Sequence, residues 1–274
     1  MLHGLFGDAD NLRALGTRLG AERPVHRVDL PGHGGRPATD PLDHDRLADA
    51  ILEDLRRVAA GAGGSSVHLL GHSLGGKVAM TIAGRRDAPA LASLAVLDIA
   101  PKAYPPHHAA LIRALLALDL DALGSRREAD AALAGSIPTP GVRAFLLKGL
   151  ERAPAGAAGP AFRWRFDLER IARDYAHLAA AVPPAPPRAL PALFLHGADG
   201  DYVDPIADAP AVLARFPKAR LEPVAGAGHW LHAERPEAVA AAVERHLAVA
   251  EASVGDGDGG GGTGDAGSGD RAPA

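Results

Sequence analysis

The apolar run Val67-His68-Leu69-Leu70 passes without a spacer into Gly71-His72-Ser73-Leu74-Gly75, and then into Gly76-Lys77-Val78-Ala79-Met80, which reads as a helix. A strand that turns directly into a helix has room for one tight corner, and here a serine occupies it. Glycine stands two places away on either side, so neither position carries a Cβ to obstruct the strained turn. Such a corner lifts the serine hydroxyl in front of a sheet, above the first turn of the helix. There, backbone N–H groups without helical partners face any negative charge that develops on a nearby oxygen. Ser73 is therefore the candidate nucleophile.

The rest of the chain supplies the sheet that this corner requires. Val25–Asp29 reads as a short strand entering the glycine loop Pro31–Gly35, and residues 41–60 carry a helical period through Leu47, Ile51, Leu55 and Val58. Further strands are expected at 66–70, 94–97, 192–195 and 220–224, with helices at 75–85, 205–216 and 236–250. This alternation predicts an α/β fold with a mostly parallel sheet covered by helices on both faces. Ligands bind such sheets at the carboxyl ends of the strands. Ser73, Asp98, Asp201 and His229 each follow a predicted strand, so they converge on one edge although far apart in the chain.

About ninety residues separate Asp98 from the strand at Ala192, far more than one crossover helix needs. Helical patterns near 107–122, 126–134, 141–152 and 168–181 fill the segment. The expected organisation is a core of residues 1–100 and 190–250, a helical cap of residues 101–189 and a tail of residues 251–274. Phe145, Leu146, Phe162, Trp164, Phe166 and Tyr175 are candidates for lining an acyl pocket beneath the cap. The tail is rich in Gly and Asp, has no apolar anchor and is expected to be disordered. Its Asp-Gly repeats lack the period of calcium-binding repeats, so no metal site is assigned there.

Composition narrows the function. Net charge is −4, which provides no basic footprint for nucleic acid or an anionic membrane. With no cysteine, disulfides, thiolate catalysis and Cys-ligated zinc are excluded. No signal peptide and no membrane span is visible, so a cytoplasmic protein is expected.

A serine hydroxyl needs a base within hydrogen-bond reach. His229, in the loop Gly226-Ala227-Gly228-His229 after the last strand, is the best placed of 13 histidines, with His232 its competitor. His72 lies inside the corner but should point away from the serine. His3 and His33 sit in glycine loops and are read as fixing those loops by hydrogen bonding. The acid that would orient the base is left open among Asp98, Asp201 and Asp199.

Taken together, these stretches resemble the α/β-hydrolase superfamily, and within it the YbfF-type bacterial esterases, over residues 2 to about 249. The resemblance rests on Leu2-His3-Gly4-Leu5-Phe6-Gly7, Gly71–Lys77 and Leu97-Asp98-Ile99-Ala100-Pro101. It continues through Phe145–Lys148, Trp164–Phe166 and Ala225–Glu234. It implies hydrolysis of small carboxylic esters, with acyl-CoA thioesters a further option, through an acyl-enzyme and without metal or organic cofactor. It favours Asp98 as the acid, beside Ser73 and His229, and the backbone N–H groups of Leu5 and Leu74 as the oxyanion hole. A carbon–carbon bond or lactone hydrolase would use the same three side chains, and an inert ligand-binding relative or a nonfunctional fragment are the readings from another class. The chain departs from the family pattern in two places. The glycine loop reads Gly34-Gly35-Arg36, with Arg36 taken as solvated or, alternatively, as meeting an anionic substrate. Only Met1 and Leu2 precede His3 where a mid-sheet strand and a hairpin are expected. A start codon placed too late, with roughly 15–35 residues upstream, would account for this.

Overall fold

The computed structural model describes residues 1–61, 66–154 and 159–255. A short 3-10 turn, Ala9–Leu12, leads into α1 (Arg13–Leu19), and α2 spans His44–Gly61. Next come β1 (Val67–His72), α3 (Leu74–Gly84) and β2 (Leu91–Leu97). An insertion follows, with α4 (Ala109–Leu116), α5 (Arg126–Leu133), α6 (Pro140–Lys148), the hairpin β3 (Leu150–Arg152) and β4 (Phe162–Trp164), and α7 (Leu168–Ala179). The chain then returns through β5 (Ala192–Gly197), α8 (Ala209–Arg215), β6 (Ala219–Val224), α9 (Leu231–Glu234) and α10 (Pro236–Gly255).

The main sheet has the order β1-β2-β5-β6 and is parallel throughout. Strand alternation sends neighbouring side chains to opposite faces. Leu69, Leu94, Val96 and Phe194 join one core beneath α2, α3 and the insertion, while Leu70, Ala95, Leu97 and Leu195 join another beneath α1 and α10. Burying each of the large side chains contributes about 1.5–3 kcal/mol, and because both faces are covered the strands read as continuous apolar runs. Helix α3 is buried from Leu74 through Ala83, which seats the corner at Ser73 in the middle of the molecule.

Several sequence expectations change. The strand expected at 25–29 reduces to one parallel bridge, Leu2 to Val28, and Leu2 also bridges Gly71 on its other side. Met1–His3 thus occupies the place where a mid-sheet strand was expected, and Leu2 exchanges backbone bonds with Leu70 and His72. Beyond Leu2 the two neighbours part around a cavity of about 850 Å³, lined by Val25, Ile51, Leu69 and Leu247 among others. The helix expected over 141–152 stops at Lys148, and Leu150–Arg152 pair instead with Phe162–Trp164, with Gly149 between them lying against the Phe166 ring where a Cβ would have no room. The tail boundary also moves. Residues 251–255 continue α10, with Ala250 buried and Glu251 paired to Arg23 at 3.2 Å, whereas residues 256–274 lie outside the described residues. Among the described residues no helix is long and apolar enough to cross a membrane.

Candidate active site

Ser73 adopts φ 51° and ψ −119°, left-handed backbone that a residue with a Cβ holds only when its surroundings enforce it. The flanking glycines are what allow it. A Cβ on Gly71 would stand 2.1 Å from the Gly75 carbonyl oxygen, and one on Gly75 would stand 2.4 Å from the carbonyl oxygen of Leu2 and 2.5 Å from that of His3. These neighbours are backbone and cannot rotate away. Gly75→Ala should therefore displace the His3–Phe6 loop, lowering turnover at Ser73 by about 100-fold, the size of effect a misplacement near 1 Å can have. Overpacking should also cost about 1–3 kcal/mol of stability. Turnover and a thermal melt measured on the same preparation check both effects, and a variant of normal rate would contradict the close packing.

The sheet edge brings three of the sequence candidates into one hydrogen-bonded line. His229 Nε2 lies 3.0 Å from Ser73 Oγ, and His229 Nδ1 lies 2.8 Å from Asp98 Oδ2. Asp98 is 1% exposed, and its other oxygen, Oδ1, accepts from the Gly197 N–H at 2.9 Å, so neither oxygen of this buried carboxylate lacks a partner. Asp98 also has positive φ, 50°, as does Phe6, 60°. Among the described residues, the non-glycine residues with positive φ thus gather around this site. Asp199 and Asp201 lie exposed on the loop after β5, and His229 takes its carboxylate from Asp98 instead.

The other histidines take supporting positions. His72 Nε2 donates to the His229 carbonyl at 2.9 Å, tying the His229 loop to β1. His232 packs edge-on against His72 at 4.5 Å between ring centroids, away from Ser73. Burial holds both rings neutral, His232 down to about 4 and His72 well below the ordinary imidazole value. His3 donates from Nδ1 to the Gly4 carbonyl at 2.8 Å and accepts the Leu30 N–H at Nε2, 3.0 Å away. Leu5, on the turn that His3 anchors, and Leu74, first residue of α3, both line a cavity of about 50 Å³ in front of Ser73. The N–H of Leu74 belongs to the first helical turn and has no intrahelical acceptor.

The walls of that cavity differ from expectation. Of the six candidate lining residues in the insertion, only Tyr175 reaches it. Phe162, Leu146 and Phe166 are buried in the apolar core, Trp164 stacks on Phe166 at 5.1 Å, and Phe145 meets Trp230. The remaining polar wall comes from Lys77, Tyr104, His107, His108 and Tyr202, none of which stood out in the sequence as a lining residue. Tyr202 lies flat on His229, 3.7 Å between centroids and 16° from parallel. Lys77 is buried, with Nζ donating to the Ala179 and Ala180 carbonyls at 3.2 and 2.5 Å and lying 4.8 Å from the Tyr104 ring centre. Burial lowers it to about 8, so it remains charged at neutral pH and ties α3 to the end of α7. Arg36 is neither free in solvent nor directed at the cavity. It pairs with Asp54 at 2.6 Å and donates to the Asp29 and Ala50 carbonyls.

Comparison with known proteins fits this geometry. The family model described as "Alpha/beta hydrolase family" matches residues 1–242. The chain belongs to the alpha/beta hydrolase family. This hydrolase is 31% identical to the esterase YbfF of Escherichia coli, over 90% of its own length and 91% of the relative's. It is 32% identical to the mouse sn-1-specific diacylglycerol lipase ABHD11, over 90% of this chain and 80% of that one. Among solved structures, a marine microorganism esterase superposes with a TM-score of 0.80 at 32% identity, covering 90% of this chain and 93% of the other.

Proposed function

We propose that this hydrolase cleaves small carboxylic esters, with thioesters in the same chemical class, through a Ser73 acyl-enzyme. The observation that carries the reading is the line Ser73 Oγ–His229 Nε2, His229 Nδ1–Asp98 Oδ2, at 3.0 and 2.8 Å. Ser73 Oγ attacks the carbonyl carbon as His229 Nε2 takes its proton, and Asp98 holds the imidazole in the tautomer that can accept it. The carbonyl oxygen becomes an oxyanion facing the N–H groups of Leu5 and Leu74, at the foot of α3. The C–O bond then breaks, the alkoxide leaves with the proton from His229, and the acyl group stays on Ser73. Water, deprotonated by the same nitrogen, repeats the sequence and releases the acid. The insertion acts as a cap, closing the acyl side of the cavity with Tyr175 and Leu178.

Intact-mass analysis after exposure to a fluorophosphonate tests the reading. A single adduct is expected, absent in Ser73→Ala. An unlabelled wild-type chain, or labelling that survives in the variant, would overturn it.

A further inference from the structure

We infer that the cavity in front of Ser73 selects a short acyl chain carrying an oxygen acceptor, such as a 3-oxobutanoyl group, over its plain hydrocarbon counterpart. The inference rests on the ester-hydrolase reading above and names its substrate class.

Size sets the first limit. A cavity of about 50 Å³ holds about four water-sized probes, each needing roughly 10–15 Å³. A short acyl chain matches that size better than a long one.

The second limit comes from counting protons on the wall. His108 Nδ1 lies 2.9 Å from the Tyr175 hydroxyl, and His108 Nε2 lies 3.3 Å from the Tyr202 hydroxyl. The Tyr175 oxygen also accepts the backbone N–H of His108 at 3.2 Å, which uses a lone pair and no hydroxyl proton. Burial keeps His108 neutral, at about 4, and pushes both phenols up, so each keeps its O–H. A neutral imidazole has one N–H and each phenol one O–H, three protons in all, and the two bonds to the ring nitrogens consume two. If Nε2 carries the ring proton, the O–H of Tyr202 is left over. If Nδ1 carries it, the O–H of Tyr175 is left over. In either tautomer one phenolic donor is unspent, and both phenols line the cavity with Ser73.

Among the described residues, neither phenol donates to an acceptor other than His108. Tyr104 accepts the Ala100 N–H and donates to the Tyr202 carbonyl, both at 2.8 Å, so its hydroxyl is committed. Lys77, on the same wall, adds donors and no acceptor. A hydrocarbon acyl chain would leave the spare O–H dry, whereas an acceptor oxygen carried on the chain would receive it. A cavity built around a polar partner discriminates in this way against the analogue that lacks it.

The test compares ethyl 3-oxobutanoate with ethyl butanoate by pH-stat, each kcat/KM divided by that ester's hydroxide-catalysed rate to remove intrinsic reactivity. The wild-type chain should favour the oxo ester about tenfold, the upper end of one neutral hydrogen bond. In Tyr175→Phe/Tyr202→Phe the corrected ratio should fall to within about twofold of unity, whatever happens to the absolute rates. Turnover of both esters by wild type at equal corrected rates overturns this inference and leaves the ester-hydrolase reading intact. An unchanged ratio in the double variant also overturns it. Absence of turnover on both esters removes the two readings together. If the double variant does not fold, the wild-type ratio decides alone.

Discussion

Asp98→Asn is expected to lower kcat on an activated ester by about 10⁴-fold with little change in KM, the size of effect a wrong imidazole tautomer produces. The structure fixes how the substituted amide would sit. The Gly197 N–H needs an acceptor where Asp98 Oδ1 now stands, so the asparagine carbonyl must face Gly197 and its NH₂ group must face His229 Nδ1. An NH₂ donor there forces Nδ1 to accept and places the ring proton on Nε2, opposite Ser73 Oγ, where the base has to be free. In the proposed mechanism the amide also cannot stabilise the imidazolium formed as Ser73 attacks. Because the shape and the Gly197 bond persist, the melting temperature should move little, which separates this effect from unfolding. Asp199→Asn and Asp201→Asn, on the exposed loop, should retain turnover within a few-fold. Loss of activity in Asp201→Asn together with near-normal Asp98→Asn would reassign the acid.

Acidification should destabilise the chain steeply between pH 6.5 and 5, above the range where carboxylates protonate. His3, His33, His44, His72, His232 and His246 are all buried, and burial lowers every one of them, His33 to about 3 and His3, His44, His232 and His246 to about 4. A group whose folded pKa lies below its unfolded value of about 6.5 contributes stability that is fully present above pH 6.5. That stability is lost as the pH falls toward the folded value, because the unfolded chain binds the proton first. Each such group adds a slope approaching about 1.4 kcal/mol per pH unit. The slope builds up from half that value at pH 6.5, so over one and a half units three of them remove about 5 kcal/mol, comparable to the stability of a marginal domain at about 5–15 kcal/mol. Local contacts oppose protonation as well. His3 would lose the acceptor it offers to Leu30, with the His33 ring 5.3 Å away. Circular-dichroism melts from pH 8 to pH 4.5 check this. A melting temperature that stays flat down to pH 5 would show that these rings are not neutral partners in the fold.

Much of the architecture was legible in the chain because it is written in local terms. Apolar runs covered on both faces read as parallel strands, and residues such as Leu47, Ile51 and Leu55 mark the buried side of α2 by their spacing. The corner at Ser73 was legible for a similar reason. The two glycines answer a steric demand made within five residues, and the structure shows the atoms that make it. His229 could be placed by its glycine loop after the last strand. The pairing of β3 with β4, the bond network of Arg36 and the helical continuation to Gly255 depend on partners distant in sequence, and local patterns misread all three.

The sequence by itself determined the fold class, the strained serine and the short set of acids and bases that could serve it, because each follows from backbone sterics or chain order. Only the tertiary structure decided which acid meets His229, because Asp98 and His229 are 131 residues apart and come within 2.8 Å through the parallel pairing of β2 with β5 and of β5 with β6. It alone also decided what faces the substrate. Tyr202, Tyr175 and His108 come from three separate elements, and the proton they leave unspent exists only once all three share one small cavity.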